Sequence, residues 1–178
     1  MRPRLFLSLL VAACTLAGTA QAAEKLVVLP AVLDSNAFVG ENIRRECGIE
    51  GSVSREVLQR VGERFPDVQR NQGSSQDGES LALKVTILAV SGAGGGSWSG
   101  PKSMSVKAEV LLNGTVAVGH VLRRSSTGGP LGGTSGTCAI LDRVAVALGK
   151  DVAGWLQGAL LSARNMPVAQ PAPVETRP

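Results

Sequence analysis

From Leu81 the chain alternates. Leu81, Leu83, Val85, Ile87 and Ala89 are apolar, and Ala82, Lys84, Thr86 and Leu88 fall between them. A period of two is that of a strand with one face in a core. The pattern returns after a glycine-rich stretch, with Met104, Val106, Ala108, Val110 and Leu112 set against Ser105, Lys107, Glu109 and Leu111. Asn113-Gly114 follows. That dipeptide suits a type I′ turn, which needs positive φ at both central residues, and it predicts a hairpin with a return strand from Thr115 to Arg124. The turn sets a register: Leu112 opposite Thr115, Val110 opposite Ala117, Ala108 opposite Gly119 and Val106 opposite Val121. His120 then lies opposite Lys107 on a mixed face, one suited to water or to a partner. Lys25 to Leu29 reads as an earlier strand, stopped by Pro30.

Two segments carry the helical period instead. Ser52 or Ser54 is positioned to cap a helix running to about Phe65, with Val57, Leu58, Val61 and Phe65 on one face and Pro66 at its end. Near the end of the chain, Ile140, Leu141, Val144, Leu148, Val152, Trp155, Leu156 and Ala159 form a broad apolar stripe. Gly149, Gly154 and Gly158 interrupt it. Each costs about 1 kcal/mol relative to Ala in a helix, so close packing on a sheet is the expected compensation. Residues 34–50 are mixed, with a helical turn expected from Glu41 to Glu46. Residues 67–79 read as an exposed loop.

The order β-α-β-β-β-α predicts an α+β two-layer sandwich. It has a largely antiparallel four-stranded sheet with two helices on one face. A right-handed crossover makes the first two strands parallel. Both glycine-rich loops, 92–101 and 126–137, then fall on one edge of the sheet. The start of the last helix and the segment carrying Cys47 fall there too.

The first 22 residues change the compartment. Arg2 and Arg4 precede an apolar run from Leu5 to Ala17, and Ala20-Gln21-Ala22 is a small-x-small cleavage site. This is the layout of a secretory signal peptide over residues 1–22. It leaves one domain over 23–164 and a proline-rich disordered tail over 165–178. A competing reading exists. Val11-Ala12-Ala13-Cys14 fits a lipobox, which would place a lipid anchor on Cys14. Cleavage after Ala22 is favoured, because the lipobox would leave unusually short basic and apolar regions. No later stretch reaches the ~18 uninterrupted apolar residues of a membrane span. Export also gives the remaining cysteines a meaning: Cys47 and Cys138 are expected to form a disulfide.

Charge and composition exclude one class of partner. The formal net charge of +4 falls to about +2 once Arg2 and Arg4 are removed, and the chain has no Tyr, two Trp and three Phe. That is a poor basis for nucleic-acid binding. No GxxxxGK[ST] motif is present, and in Gly96-Ser97-Trp98-Ser99-Gly100 the centre of a would-be nucleophile elbow is Trp98. His120 is the sole histidine. Alone it makes a poor zinc site and has no nucleophile to activate. No cofactor, metal site or catalytic set is indicated. What remains is the loop-bearing edge. There Trp98, Lys102, Arg123, Arg124 and the helix start at Thr137 are candidates for holding a partner or an anion.

Four stretches carry a resemblance. They are Gly94-Gly95-Gly96-Ser97-Trp98-Ser99-Gly100-Pro101-Lys102-Ser103, Gly136-Thr137-Cys138-Ala139-Ile140-Leu141, Ala147-Leu148-Gly149-Lys150-Asp151-Val152-Ala153-Gly154-Trp155-Leu156, and Arg44-Arg45-Glu46-Cys47. Together with Arg123-Arg124-Ser125-Ser126, they resemble an uncharacterised family of small exported proteins of Gram-negative bacteria. The order of elements is similar to that of envelope lipoproteins with a TolB-N-like or lipoprotein-assembly α+β domain. The resemblance implies a periplasmic or secreted location and an envelope role.

The expected function is a non-enzymatic binding module of the cell envelope. Its partner would be an envelope protein or a cell-wall component, held through the two glycine-rich loops. Two alternatives use the same edge: a small-ligand or anion-binding protein, with or without hydrolytic activity, and a periplasmic immunity or inhibitor protein. The exported chain is expected to begin at Ala23 and to be alkylated on Cys47 and Cys138 only after reduction. Intact mass spectrometry checks this, and acyl chains on Cys14 would establish the lipoprotein reading instead.

Overall fold

The structure is a computed structural model, and it describes residues 25–70, 81–92, 101–127 and 136–165. The strands are β1 (Leu26–Val28), β2 (Val32–Val39), β3 (Gln69–Arg70), β4 (Leu81–Ser91), β5 (Lys102–Leu112) and β6 (Thr115–Ser126). The helices are α1 (Glu41–Glu46), α2 (Ile49–Arg64) and α3 (Thr137–Arg164). One sheet runs in the order β3-β1-β4-β5-β6, and β2 adds to β4 beyond β1. The α+β sandwich is the expected one, and the expected hairpin carries it. Asn113 and Gly114 have φ of 49° and 78°, as a type I′ turn requires.

The sheet is mixed. β4, β5 and β6 pair antiparallel, whereas β1 and β2 both run parallel to β4, and β3 runs parallel to β1. β2 runs from Val32 into the stretch read as mixed from its sequence. Asp34, Ser35 and Asn36 break its alternation, and its register to β4 shifts between Leu33 and Phe38. Its position comes from tertiary contacts. The Leu33 amide donates to Glu50 Oε1 at 3.0 Å, and the Ala31 amide just before it donates to Ser54 Oγ at 2.8 Å.

The helix read as starting at Ser52 or Ser54 begins at Ile49, behind Gly48 in the left-handed region. The two serines serve other bonds. Ser52 Oγ donates to Asp142 Oδ1 on α3 at 2.6 Å, and Ser54 Oγ donates to the Glu50 carbonyl.

The hairpin register also differs from the expected one. Leu112 pairs with Thr115 and Leu111 with Val116, but Val110 then pairs with Val118, so Ala117 is an extra residue in a β-bulge. Beyond it every β6 residue shifts by one. Ala108 faces His120 and Val106 faces Leu122. Val106, Ala108 and Val110 are fully buried under the helices. Val118, His120 and Leu122 therefore share the helix face, and His120 stacks on Trp155 with ring centroids 6.2 Å apart and planes 19° apart. The placement of His120 on the mixed face opposite Lys107 is thus corrected: one inserted residue reverses the faces of a strand.

α2 and α3 cover this face. α3 has the length and composition of a membrane-crossing helix, and half of its apolar window is buried within the fold. The helices pack closely at Gly149, where a Cβ would lie 2.8 Å from the Glu56 carbonyl oxygen and 3.0 Å from its carbon. At Gly158 nothing lies within 4 Å of that position. Gly149→Ala is therefore expected to destabilise by about 1–3 kcal/mol, since rigid backbone must move. Gly158→Ala is expected to stabilise by about 0.5–1 kcal/mol through helix propensity. Chemical denaturation of both variants checks the contrast.

Candidate functional site

One edge of the sheet gathers the ends of β2, β4 and β6 and the start of β5, together with α1 and the start of α3. Cys47, which closes α1, is bonded to Cys138 in the first turn of α3, with a Cα–Cα distance of 5.0 Å and a sequence separation of 91. The bond expected from export thus joins two helix ends at the edge that topology selects. Gly48, with φ 52°, then redirects the chain into α2.

Lys102 opens β5 at this edge and is fully buried. A Cβ on Gly92 would lie 3.1 Å from Lys102 Cδ, 3.1 Å from Ile43 Cδ1 and 3.6 Å from Thr137 Cγ2. The absence of a side chain at Gly92 thus lets β4, α1 and α3 close around the lysine stem. Thr137 is the first residue of α3, behind Gly136, which supplies no side-chain cap. No acidic residue stands in the first turn of α3.

Arg123 and Arg124 are split by the pleat. Arg124 pairs with Met104 on the helix face and Arg123 with Ser105 on the open face. The Arg124 guanidinium meets the Asp151 carboxylate of α3 through both Nε and Nη2, the latter donating to Oδ1 at 2.7 Å. That hydrogen bond, more than the charge itself, holds the Arg124 pKa above its ordinary value. Arg124 therefore clamps the sheet to α3. Arg123 is exposed to solvent. Trp98 and the central parts of both glycine-rich loops lie outside the described residues.

The open face shows a feature not singled out in the sequence. Ser91 pairs with Ser103, and Ser103 with Ser125, so three hydroxyls line up across β4, β5 and β6. The next row is Ala89, Ser105 and Arg123. The signal was present as serines at alternate positions, but their alignment depends on a register that only the structure supplies. Four hydroxyl-bearing residues and a guanidinium form a surface of donors and acceptors suited to a carboxylate, a phosphate or a carbonyl-rich segment. Among the described residues, no group of three His, Cys, Asp or Glu side chains is arranged to hold a metal ion.

No protein-family model matches the chain, and no curated protein matches it. Solved structures do. A DUF330 protein from Xanthomonas campestris is 12% identical with a TM-score of 0.53, covering 82% of this chain and 90% of that one. A hypothetical protein from Chlamydia trachomatis is 10% identical with a TM-score of 0.52, covering 78% and 98%. A minor lipoprotein from Acinetobacter baumannii is 9% identical with a TM-score of 0.42, covering 81% and 97%. The first two establish the fold as one that occurs in other bacterial proteins.

The disulfide closes a long loop in the unfolded chain. Replacing Cys47 and Cys138 together with Ser is expected to lower stability by up to about 4–5 kcal/mol. Denaturant titration of the variant against the oxidised protein measures it.

Proposed function

We propose that the protein is a non-enzymatic binding module of the bacterial envelope, and that it engages its partner at the edge where the glycine-rich loops emerge. The observation that carries this reading is the junction itself. Four strand termini and two helix ends meet there, the helix ends tied by the Cys47–Cys138 bond, and the exposed Arg123 stands beside the serine row. Fixed elements of this kind hold a contact surface in place and reduce the ordering cost of binding. The leader-like N-terminus and the disulfide support an exported location, because such bonds persist in oxidising compartments. The resemblance to small exported proteins of Gram-negative bacteria supports the same place.

Within this reading Trp98 supplies an aromatic contact and Arg123 a charged one. Lys102, Arg124 and Thr137 act as the framework of the edge. A photo-crosslinking residue at Ser125 is expected to trap one discrete envelope protein in cells. The same residue at Asn113, at the far end of the hairpin, is expected to trap none. Equal trapping at both positions, or none at Ser125, would overturn the proposal.

The hydroxyl row beside Arg123 also favours a second reading, a small anion or glycan ligand. A dose-dependent thermal shift with phosphates, glycans or peptidoglycan fragments, reduced in Arg123→Ala, would establish that reading in place of the first.

A further inference from the structure

The register of the open face lines up two side chains that the fold itself does not use. Phe38 pairs with Ala89, Ala89 with Ser105 and Ser105 with Arg123, so the four form one row across β2, β4, β5 and β6. The row lies on the open face, because the next pair, Val39 and Val90, belongs to the core under the helices. Phe38 is 75% exposed, more than any other large apolar side chain among the described residues. Arg123 is exposed at the other end, and the small Ala89 and Ser105 between them are half-buried. The row is thus a shallow trough with an aromatic ring at one end and a guanidinium at the other. Three strand spacings put those ends about 14 Å apart. Among the described residues no carboxylate pairs with Arg123, whereas Lys107 of the same face is matched by Glu109.

We propose that this trough takes an extended segment of the partner protein that carries a bulky apolar side chain and, four residues away, a carboxylate. The inference rests on the binding reading above and gives its partner a chemistry. Aromatic side chains and arginine are enriched at the centres of protein contacts. β4 and β5 are paired on both sides here, so their backbone has no ladder to offer and recognition falls to side chains. The guanidinium is complemented by a carboxylate, which it grips with two parallel bonds. In an extended chain alternate residues share a face at about 3.3 Å per residue, so positions four apart lie about 13 Å apart on one side. That spacing matches the distance from Phe38 to Arg123. The hydroxyls of Ser91, Ser103 and Ser125, one row on, are able to donate to the carbonyls of such a segment. A single small anion satisfies Arg123 and leaves Phe38 in water. A neutral glycan covers the ring and leaves the guanidinium unmatched.

Fluorescence anisotropy of labelled synthetic peptides with the exported chain tests this. The probe is a serine–threonine peptide bearing one leucine and one glutamate four residues apart. Saturable binding is expected. It should weaken about tenfold or more when glutamine replaces the glutamate, when serine replaces the leucine, or when the two are made adjacent. Phe38→Thr is expected to remove the gain from the leucine, and Arg123→Gln the gain from the glutamate. Both side chains are exposed, so the circular dichroism should not change. No binding, or binding indifferent to Phe38→Thr, would overturn the proposal. So would a neutral N-acetylglucosamine oligosaccharide whose binding Phe38→Thr abolishes and Arg123→Gln leaves intact, since it would assign the row to a sugar. The crosslinking residue at Ser125 separates this inference from the reading beneath it. A trapped partner whose yield Phe38→Thr leaves unchanged would overturn the inference alone. Peptide binding with the expected pattern, but no adduct at Ser125 in cells, would support the chemistry of the trough and overturn the envelope partner.

Discussion

Eleven residues of α3, from Ile140 to Ala163, are buried against β4–β6 and α2. Facing them, Leu83, Ile87, Val106, Ala108 and Val110 are fully buried as well. Burial of large aliphatic side chains contributes about 1.5–3 kcal/mol each, so this contact outweighs every polar bond in the molecule. It also sets the path of α3. The helix must lie close enough to α2 that Gly149 meets backbone, and it must begin at the edge where Cys138 reaches Cys47. The staple and the arginine clamp adjust an arrangement that apolar burial has already chosen.

That arrangement explains the division of labour among the charged residues. Arg124 faces α3 and is held by Asp151, whereas Arg123, one residue away, faces solvent. Lys102 starts its strand inside the closure of β4, α1 and α3 and is enclosed there. On the open face, Lys107 is matched by Glu109 at 2.5 Å. Arg123 is thus the cationic side chain that the edge presents beside its serines.

Much of this was legible in the chain because strong periodicity and burial coincide. The alternation of β4 and β5 marks the residues that meet the helices, and the stripe of α3 marks those that meet the sheet. Asn113-Gly114 located the hairpin, and export located the disulfide. The remainder depended on forces without a local signature. β2 has no clean period and exists because β4 offers an edge and Glu50 an acceptor. The bulge at Ala117 has no marker of its own, since a turn dipeptide fixes only the pairs nearest to it. That one residue moved His120 from the open face to a stack on Trp155. The serine row was hidden for the same reason.

The central claim is that the α3–sheet core stands by itself and the disulfide fixes only the loop-bearing edge. Residue-resolved hydrogen exchange before and after reduction tests it most directly. The account predicts that α1 and the first turn of α3 lose their protection, whereas Val144 onward and β4–β6 stay protected and lose only the uniform amount by which global stability falls. Collapse of protection throughout the sheet to that of an unfolded chain, or no change at either helix end, would contradict it.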